Sequence, residues 1–220
     1  VWFVAGLNMG VAGVALATVI AQVISAVMCV FKLRRMTDLF DMKIKYLKPN
    51  KGNLMTVLSL GLPSGVTQAI FSLAMVVVQS LTNSFGEIVI AANVIIMRVD
   101  GFAMMPNFSF GTAMTTYAGQ NVGARKLDRV KQGAKEGTWI AVGTSAVITG
   151  IIVVFGHLLM GIFTNTEELV NLSADMMKIL AVGYIAMAVT QSLSGVMRGA
   201  GDTMTPMWIS FITTVIVRVP

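Results

Sequence analysis

An aspartate lies within a stretch of this sequence that is otherwise apolar enough to sit in a lipid bilayer. The segment "RVDGFAMMPNFSFG", residues 98–111, places Asp100 among apolar side chains, with Arg98 and Pro106 nearby. A charged side chain at the centre of a bilayer costs about 3 kcal/mol or more, so intramembrane carboxylates face protein or water and mark ion or substrate pathways. If this stretch spans a membrane, we expect Asp100 to be the charged residue of a binding cavity.

Polar residues and methionines recur at intervals of three or four on three apolar stretches, so each set shares one helical face. One of these faces runs from Asn93 through Asp100 and Asn107 to Gly111. Three such faces on separate helices predict a shared cavity for substrate or cation. The predicted cavity residues are Asp100, Asn93, Met97 and Met104 on one stretch, Gln68, Met75 and Gln79 on a second, and Gln191 and Tyr184 on a third. An alternative stays open for each amide, which can simply bond across a helix contact for about 0.6 to 2 kcal/mol.

Arg98 and two prolines have different expected roles. Arg98 lies about 200° round a helix from Asp100, so the two side chains face different directions. We expect Arg98 to be a structural charge paired with a neighbouring span. Pro63 and Pro106 each remove a backbone hydrogen bond inside an apolar stretch, which predicts a bend or hinge at each.

An enzyme, a metal protein and a nucleic-acid binder are all disfavoured. His157 is the only histidine and Cys29 the only cysteine, and neither belongs to a zinc-protease, nucleophile-elbow or phosphate-loop motif. We therefore expect no enzymatic activity, no bound metal and no cofactor. The net charge of +6 comes from basic residues clustered between apolar runs without interleaved aromatic residues, so nucleic acid is not an expected partner.

The composition is that of a membrane protein. The chain is 55% hydrophobic and 12% charged, whereas soluble domains have about 25% charged residues. Apolar runs longer than roughly 18 residues predict membrane-spanning helices. The expected fold is an all-α, polytopic transmembrane helical bundle with five full spans and part of a sixth. The predicted spans are 11–31, 54–85, 88–117, 139–163 and 176–197, with a sixth beginning near Thr205.

Charges between the spans predict their orientation. The first connection carries seven Lys or Arg and the third carries five, while the second and fourth carry none. Cytoplasmic loops are enriched in Lys and Arg, so the first and third connections are expected inside. We expect residues 1–31 to end one helical bundle, residues 32–53 to form a cytoplasmic linker and residues 54–220 to form a second, incomplete bundle. "DLFDMKIKYL" in the linker is either a surface helix or an irregular loop.

Six ordered motifs occur along the chain: "GVAGVALAT", "GLPSG", "AAN" with "MRVDGFAMMP", "AGQNVGARKLDRV", "MRGAGDTMTP" and "VRVP". Together they resemble the motifs of the multidrug and toxic compound extrusion (MATE) transporters. The resemblance implies twelve helices in two six-helix bundles around a central cavity, and makes the predicted spans look like helices six to eleven. Since the chain begins without methionine and ends within an apolar run, we expect an internal fragment lacking the first five helices and the last.

The same resemblance implies a function. It suggests a secondary exporter in the inner (plasma) membrane, monomeric at full length, that removes amphipathic or cationic drugs and toxic compounds by alternating access. Inward flow of Na⁺ or H⁺ would drive the export. The motifs expected in cytoplasmic loops, as scaffold or gating features, contribute Gln120, Asn121, Gly123, Arg198, Gly199 and Asp202.

The chain departs from the sodium-coupled NorM type of this family. That type carries a glutamate on the seventh helix and an aspartate on the tenth. The matching positions here are near Phe71 and Met187, where no carboxylate is close in sequence. Coupling would then use Asp100 or an acidic residue of the first bundle.

Two other functions remain open. A lipid-linked oligosaccharide flippase of related architecture would need a strongly basic cavity, and only Arg98 and Arg218 supply basic charge within the spans. A truncated membrane protein without transport activity is the second. The sequence upstream of Val1 distinguishes the truncated protein from the exporter, because a stop codon there favours the truncated protein and five further apolar spans favour the exporter.

Overall fold

The structure is a computed structural model that describes residues 2–6, 9–35 and 50–218, and all secondary structure in these ranges is helical. The helices are α1 (Gly10–Arg34), α2 (Lys51–Asn83), α3 (Glu87–Gly123), α4 (Leu127–Gly161), α5 (Glu167–Gly199) and α6 (Met204–Phe211). A π-helical turn, Trp2–Gly6, precedes α1, and a π-helical segment, Ile212–Arg218, continues α6.

Five of these helices, α1 to α5, are long and apolar enough to cross a membrane, and the apolar segment Met204–Val217 is shorter. The predicted fold class, five full spans and part of a sixth, is confirmed. Many large apolar side chains are exposed along these helices. Exposure of this kind costs little in a bilayer, because lipid tails are as apolar as leucine.

Two helices begin well before the predicted spans. α4 begins at Leu127 rather than near Trp139, and α5 begins at Glu167 rather than near Met176. Hydropathy detects only the part of a helix that crosses the hydrocarbon core. Lys, Arg, Gln and Glu are good helix formers, so they extend the helix beyond the core into water. The connections between α2 and α6 are therefore short, and residues 84–86, 124–126, 162–166 and 200–203 form them.

The chain divides into two compact units, Val1–Leu54 and Met55–Pro220. In the first unit, the amide of Met9 donates to the carbonyl of Phe3 at 3.2 Å, and Gly13 is the buried residue of α1. Most of the predicted linker, including "DLFDMKIKYL", lies outside the described residues. The division into bundle, linker and second bundle stays a prediction.

In the second unit, α3, α4 and α5 pack around one apolar core. Its buried residues are Ile95, Ile96, Val99, Ala103, Ile152, Met160, Val170, Ala174, Met177, Ala181 and Tyr184. α3 and α5 are parallel, since Asp100 contacts Tyr184 and, further along both helices, Gly111 contacts Gln191. α4 and α5 are antiparallel, because Thr138 contacts Ser192 whereas Thr149, later in α4, contacts Ala181, earlier in α5. This alternation is what successive membrane spans require, and the predicted placement of the first and third connections inside the cell stays a prediction.

Both prolines lie inside continuous helices, Pro63 in α2 and Pro106 in α3. Pro63 has no N–H for the carbonyl of Ser59, four residues earlier. The hydroxyl of Thr203 donates to that carbonyl at 3.5 Å, at the long limit for a hydrogen bond. A neighbouring threonine thus helps to satisfy a carbonyl freed by proline, as happens in membrane helices. A hinge at either proline stays a prediction.

Candidate functional site

Asp100 and Tyr184 meet across the contact between α3 and α5. The Tyr184 hydroxyl donates to Asp100 Oδ1 at 2.8 Å, and the Tyr184 side chain is only 2% exposed. Met177 Sδ lies 3.4 Å from the same hydroxyl as a second, weaker acceptor. Asp100 itself is half-buried. The carboxylate is therefore held by one buried donor while part of it stays accessible.

Asn107 adds a second polar contact between these helices. Its Nδ2 donates to the main-chain carbonyl of Tyr184 at 3.2 Å, and the Asn107 side chain is 1% exposed. Asn107 thus positions the backbone of Tyr184 while Asp100 positions its hydroxyl. We call Asp100, Asn107, Met177 and Tyr184 the Asp100–Tyr184 site. The helical spacing places Asn107 on the Asp100 face, but nothing in the sequence singles out Met177 as the thioether next to the hydroxyl.

The rest of the predicted α3 stripe lies along or beside the same contact. Met104 packs against the apolar core, and Gly111 lies against the backbone of Gln191 on α5. Asn93 Nδ2 lies 3.9 Å from Met97 Sδ one turn away, and Met97 is 50% exposed. α5 packs against most of this polar face of α3, which we expected to line an open cavity. Polar side chains of membrane helices pair across helix contacts because the bilayer core offers them no partners.

Among the described residues, α2, which carries three of the predicted cavity residues, does not pack against α3 or α5. Gln68, Met75 and Gln79 are exposed, and Gln79 Nε2 donates to Asn83 Oδ1 of its own helix at 3.0 Å. Gln191 is partly buried beside Gly111. A shared role for these residues in binding substrate stays a prediction.

Arg98 is exposed on a different face of α3 from Asp100. Within the described ranges no ion pair joins Arg98 to an acidic side chain, and Lys178 with Asp175 at 2.8 Å is the ion pair found there. The expected structural pairing of Arg98 with a neighbouring span therefore stays a prediction.

The face of α3 turned away from Asp100 carries a concave surface that was not predicted. An open cavity of about 670 Å³ follows this face. Small, hydroxyl-bearing and bulky apolar residues line it: Gly101, Met105, Phe108, Ser109, Thr112, Ala113 and Thr116. Ser109 and Thr112 donate to carbonyls of their own helix at 2.9 and 3.0 Å. The i, i+4, i+7 spacing of these residues could have predicted from the sequence that they share one face of α3. We refer to the seven lining residues as the α3 groove.

The two motifs expected in cytoplasmic loops come together at the ends of α3 and α5. Gln120, Asn121 and Gly123 lie in the last turn of α3 rather than in a loop, and Arg198 and Gly199 lie in the last turn of α5. Residues 115–119 of α3 approach Gly199 so closely that a β-carbon there would lie 2.8 Å from Ala118 Cβ and 3.0 Å from the Gly119 amide. Glycine at this position permits the close approach of the two helices.

Both helices end in the same hydrogen-bond pattern. After α3, the amides of Arg125 and Lys126 donate to Val122 and Asn121 at 2.9 Å. After α5, the amides of Gly201 and Asp202 donate to Arg198 and Met197 at 3.1 and 2.9 Å. These are Schellman turns, whose reversing residue has a positive φ. That residue is Gly201 (φ 93°) in one turn and Arg125 (φ 57°) in the other.

Asp202 and Arg198 also bond the backbone, as the "MRGAGDT" motif suggests. Asp202 Oδ1 accepts from the Thr205 amide at 3.0 Å at the start of α6, and Arg198 Nε donates to the Ser194 carbonyl at 3.3 Å. Hydrogen bonds from Thr205 lower the pKa of the exposed Asp202 carboxyl. These contacts stabilise the turn and the start of a helix.

Several known proteins resemble this chain in sequence. It is 31% identical over 216 residues to the probable multidrug resistance protein YoeA of Bacillus subtilis, covering 97% of this chain and 47% of the relative. It is 26% identical to the probable multidrug resistance protein NorM of Thermotoga maritima, covering 97% of this chain and 46% of that protein. The chain therefore spans about half the length of the curated relatives it matches.

Solved structures share the fold. A multidrug resistance MATE family transporter of the MOP superfamily, in an outward-facing conformation, superposes with a TM-score of 0.90 at 22% identity, over 99% of this chain and 49% of that one. A MOP superfamily transporter from Pyrococcus furiosus gives a TM-score of 0.90 at 21% identity, over the same shares. A family model described as MatE matches residues 63–220. The chain thus belongs to the MatE family and is part of a multi-pass membrane protein.

Proposed function

We propose that the protein containing this chain is a secondary active exporter of amphipathic or cationic drugs and toxic organic compounds. The names of its relatives, which are probable multidrug resistance proteins, support this substrate class. The observation that carries the mechanism is the half-buried Asp100 carboxylate, bonded to Tyr184 within an apolar span. Asp100 is the side chain that would bind the coupling ion, either Na⁺ or H⁺.

The physical reason is the cost of charge in the bilayer. An ionised Asp100 in this span costs about 3 kcal/mol or more, and a hydrogen bond from Tyr184 offsets part of that cost because bonds to charged groups are strong. A cation entering from outside would neutralise Asp100 and weaken its attraction for the Tyr184 hydroxyl. The neutral and the charged site would then favour different packing of α3 on α5, which couples ion binding to conformation.

The coupling ion is either H⁺ or Na⁺, and the two ions need different ligands. A proton needs one carboxylate, whereas Na⁺, a hard cation, needs several oxygen ligands. In the described part of the chain, no group of three or more His, Cys, Asp or Glu side chains comes together. The Asp100–Tyr184 site supplies a carboxylate, a hydroxyl and a soft thioether. This donor set suits H⁺ better than Na⁺.

The α3 groove is the surface we propose for drug contact. Met105 and Phe108 offer polarisable and aromatic surface to an apolar drug, and Ser109 and Thr112 have hydroxyl oxygens that can still accept a hydrogen bond. The exposed Gln68 and Gln79 on α2 would add amide contacts. Alternating access would expose this surface to each side of the membrane in turn.

Ethidium efflux by the full-length protein in energised cells tests the proposal. Asp100→Asn should abolish efflux while leaving protein in the membrane, because the amide cannot take up the cation. Asp175→Asn, which changes an exposed carboxylate of α5 that pairs with Lys178, is the matched control and should export normally. Unaltered efflux by Asp100→Asn would remove Asp100 from the mechanism. Imposing a pH gradient or a Na⁺ gradient separately on vesicles then identifies the ion.

A further inference from the structure

α4 is much longer than the membrane it crosses. Its 35 residues extend about 52 Å, at about 1.5 Å per residue, whereas the hydrocarbon core is about 30 Å thick. Residues 137–156 contain no charged side chain and are enough to cross that core. The preceding residues of α4, from Leu127 to Glu136, therefore lie in the headgroup region and beyond it.

Exposed cations lie along this part of the helix at membrane-surface depth. Lys131, Lys135 and Trp139 are exposed and four residues apart, so they follow one side of α4, and we call them the basic face. Trp139 is 68% exposed at the start of the uncharged segment, where tryptophan favours the membrane interface. Lys135 and Lys131 then lie about 6 and 12 Å further along the helix axis, so Lys135 lies within the headgroup region and the long side chain of Lys131 reaches back to it from the outer edge.

Acidic side chains of the same region do not neutralise these lysines. Glu136 accepts a hydrogen bond from Gln132 Nε2 at 2.8 Å, and Asp128 is exposed in the first turn of α4. Within the described residues no ion pair joins either acid to Lys131 or Lys135. Residues 125–136 carry five basic and two acidic side chains, so the local charge is positive.

The opposite side of this segment is held by α3. The Tyr117 hydroxyl donates to the Arg129 carbonyl at 3.1 Å. The Tyr117 ring packs against Gly133 and Met114 packs against Gly137, so closely that a β-carbon at either glycine would overlap them. The basic face therefore has a defined orientation, turned away from α3.

We propose that the basic face binds an anionic phospholipid, with the phosphate between Lys131 and Lys135 and the glycerol and first acyl carbons beside Trp139. Charge complementarity identifies the occupant, because each basic residue near a bilayer surface favours an anionic lipid about fivefold. A zwitterionic headgroup offers no net negative charge to these lysines. The proposal stands independently of the exporter function, since it uses none of the residues of the Asp100–Tyr184 site.

Fluorescence quenching of Trp139 measures this binding directly. Trp2→Phe with Trp208→Phe leaves Trp139 as the only tryptophan. This variant of the chain is reconstituted in phosphatidylcholine vesicles with brominated phosphatidylglycerol or brominated phosphatidylcholine at equal fractions. We expect phosphatidylglycerol to be preferred by about five- to twentyfold. Lys131→Gln with Lys135→Gln should reduce that preference to near one, while Lys131→Arg with Lys135→Arg should retain it.

The controls separate the basic face from general charge. Lys178→Gln removes an exposed lysine of α5 that is paired with Asp175, and should leave the preference unchanged. Equal quenching by the two lipids in the parent, or an unchanged preference in Lys131→Gln with Lys135→Gln, would overturn the proposal. Competition by inorganic phosphate beyond that of chloride at equal ionic strength would assign the site to free phosphate and overturn the lipid assignment.

Discussion

Gly195 of α5 lies so close to the Gly111 carbonyl oxygen of α3 that a β-carbon at residue 195 would overlap that oxygen. Gly199 approaches the Thr115 carbonyl in the same way one turn later. Small residues four positions apart allow two membrane helices to pack backbone to backbone. The α3–α5 contact that holds Asp100 against Tyr184 therefore depends on glycine at these positions.

Gly195→Ala should destabilise the second unit. The added methyl forces α3 and α5 apart, and overpacking of this kind costs about 1 to 3 kcal/mol. The control is Gly183→Ala on the same helix, where a β-carbon would meet nothing within 4 Å. Thermal unfolding in detergent, followed by circular dichroism, compares the two. Equal unfolding midpoints would show that the close contact does not contribute to stability.

Asp100 and Tyr184 should be energetically coupled. Asp100→Ala, Tyr184→Phe and the double variant form a double-mutant cycle, whose coupling energy should be about 1 to 2 kcal/mol because the acceptor is charged. Chemical unfolding of the four proteins in the same detergent gives this energy. Lys178→Gln with Tyr184→Phe serves as the reference cycle and should be additive. Additivity of Asp100→Ala with Tyr184→Phe within about 0.3 kcal/mol would contradict a hydrogen bond between the two side chains.

Arg125→Gly should stabilise the turn between α3 and α4. Arg125 has a φ of 57°, in the left-handed region that costs a residue with a side chain about 1 to 2 kcal/mol. Glycine removes that cost, but its greater conformational freedom stabilises the unfolded chain. We therefore expect the free energy of unfolding to rise by about 0.5 to 1 kcal/mol. Unfolding in neutral detergent measures it without lipid charge effects. Gly201→Ala, at φ 93°, should do the opposite, and a shift in the same direction for both variants would contradict this account.

The Asp202 turn should be more stable at neutral than at acid pH. Thr205 lowers the pKa of Asp202 in the folded chain, below its ordinary value of about 3.9. Its contribution to stability is therefore complete above that ordinary value and is lost as pH falls through the lower, folded value. Unfolding midpoints of the parent and of Asp202→Ala should differ at pH 7 and converge as the pH falls below the lowered pKa of Asp202. A difference that persists at acid pH would exclude the carboxylate as its source.

Much of the architecture could be predicted from the sequence. Apolar runs long enough to cross a bilayer predicted five spans and part of a sixth, and loop charges predicted their alternation. The helical ends could not be read from hydropathy, because charged helix formers continue α4 back to Leu127 and α5 back to Glu167. Hydropathy also misses the end of α3, where the uncharged but weakly apolar motif "AGQNVG", expected in a loop, continues the helix to Gly123.

The sequence by itself determined which residues share a helical face, because the helical period depends only on position along the chain. It placed Asp100 with Asn107 and Gly111, and Arg98 on another side. Only the tertiary structure decided what each face meets. The Asp100 face packs on Tyr184 of α5, and the opposite face carries the α3 groove. The physical reason is that neighbouring helices come together through side chains far apart in sequence, whose fit depends on glycine contacts such as Gly111 with Gly195.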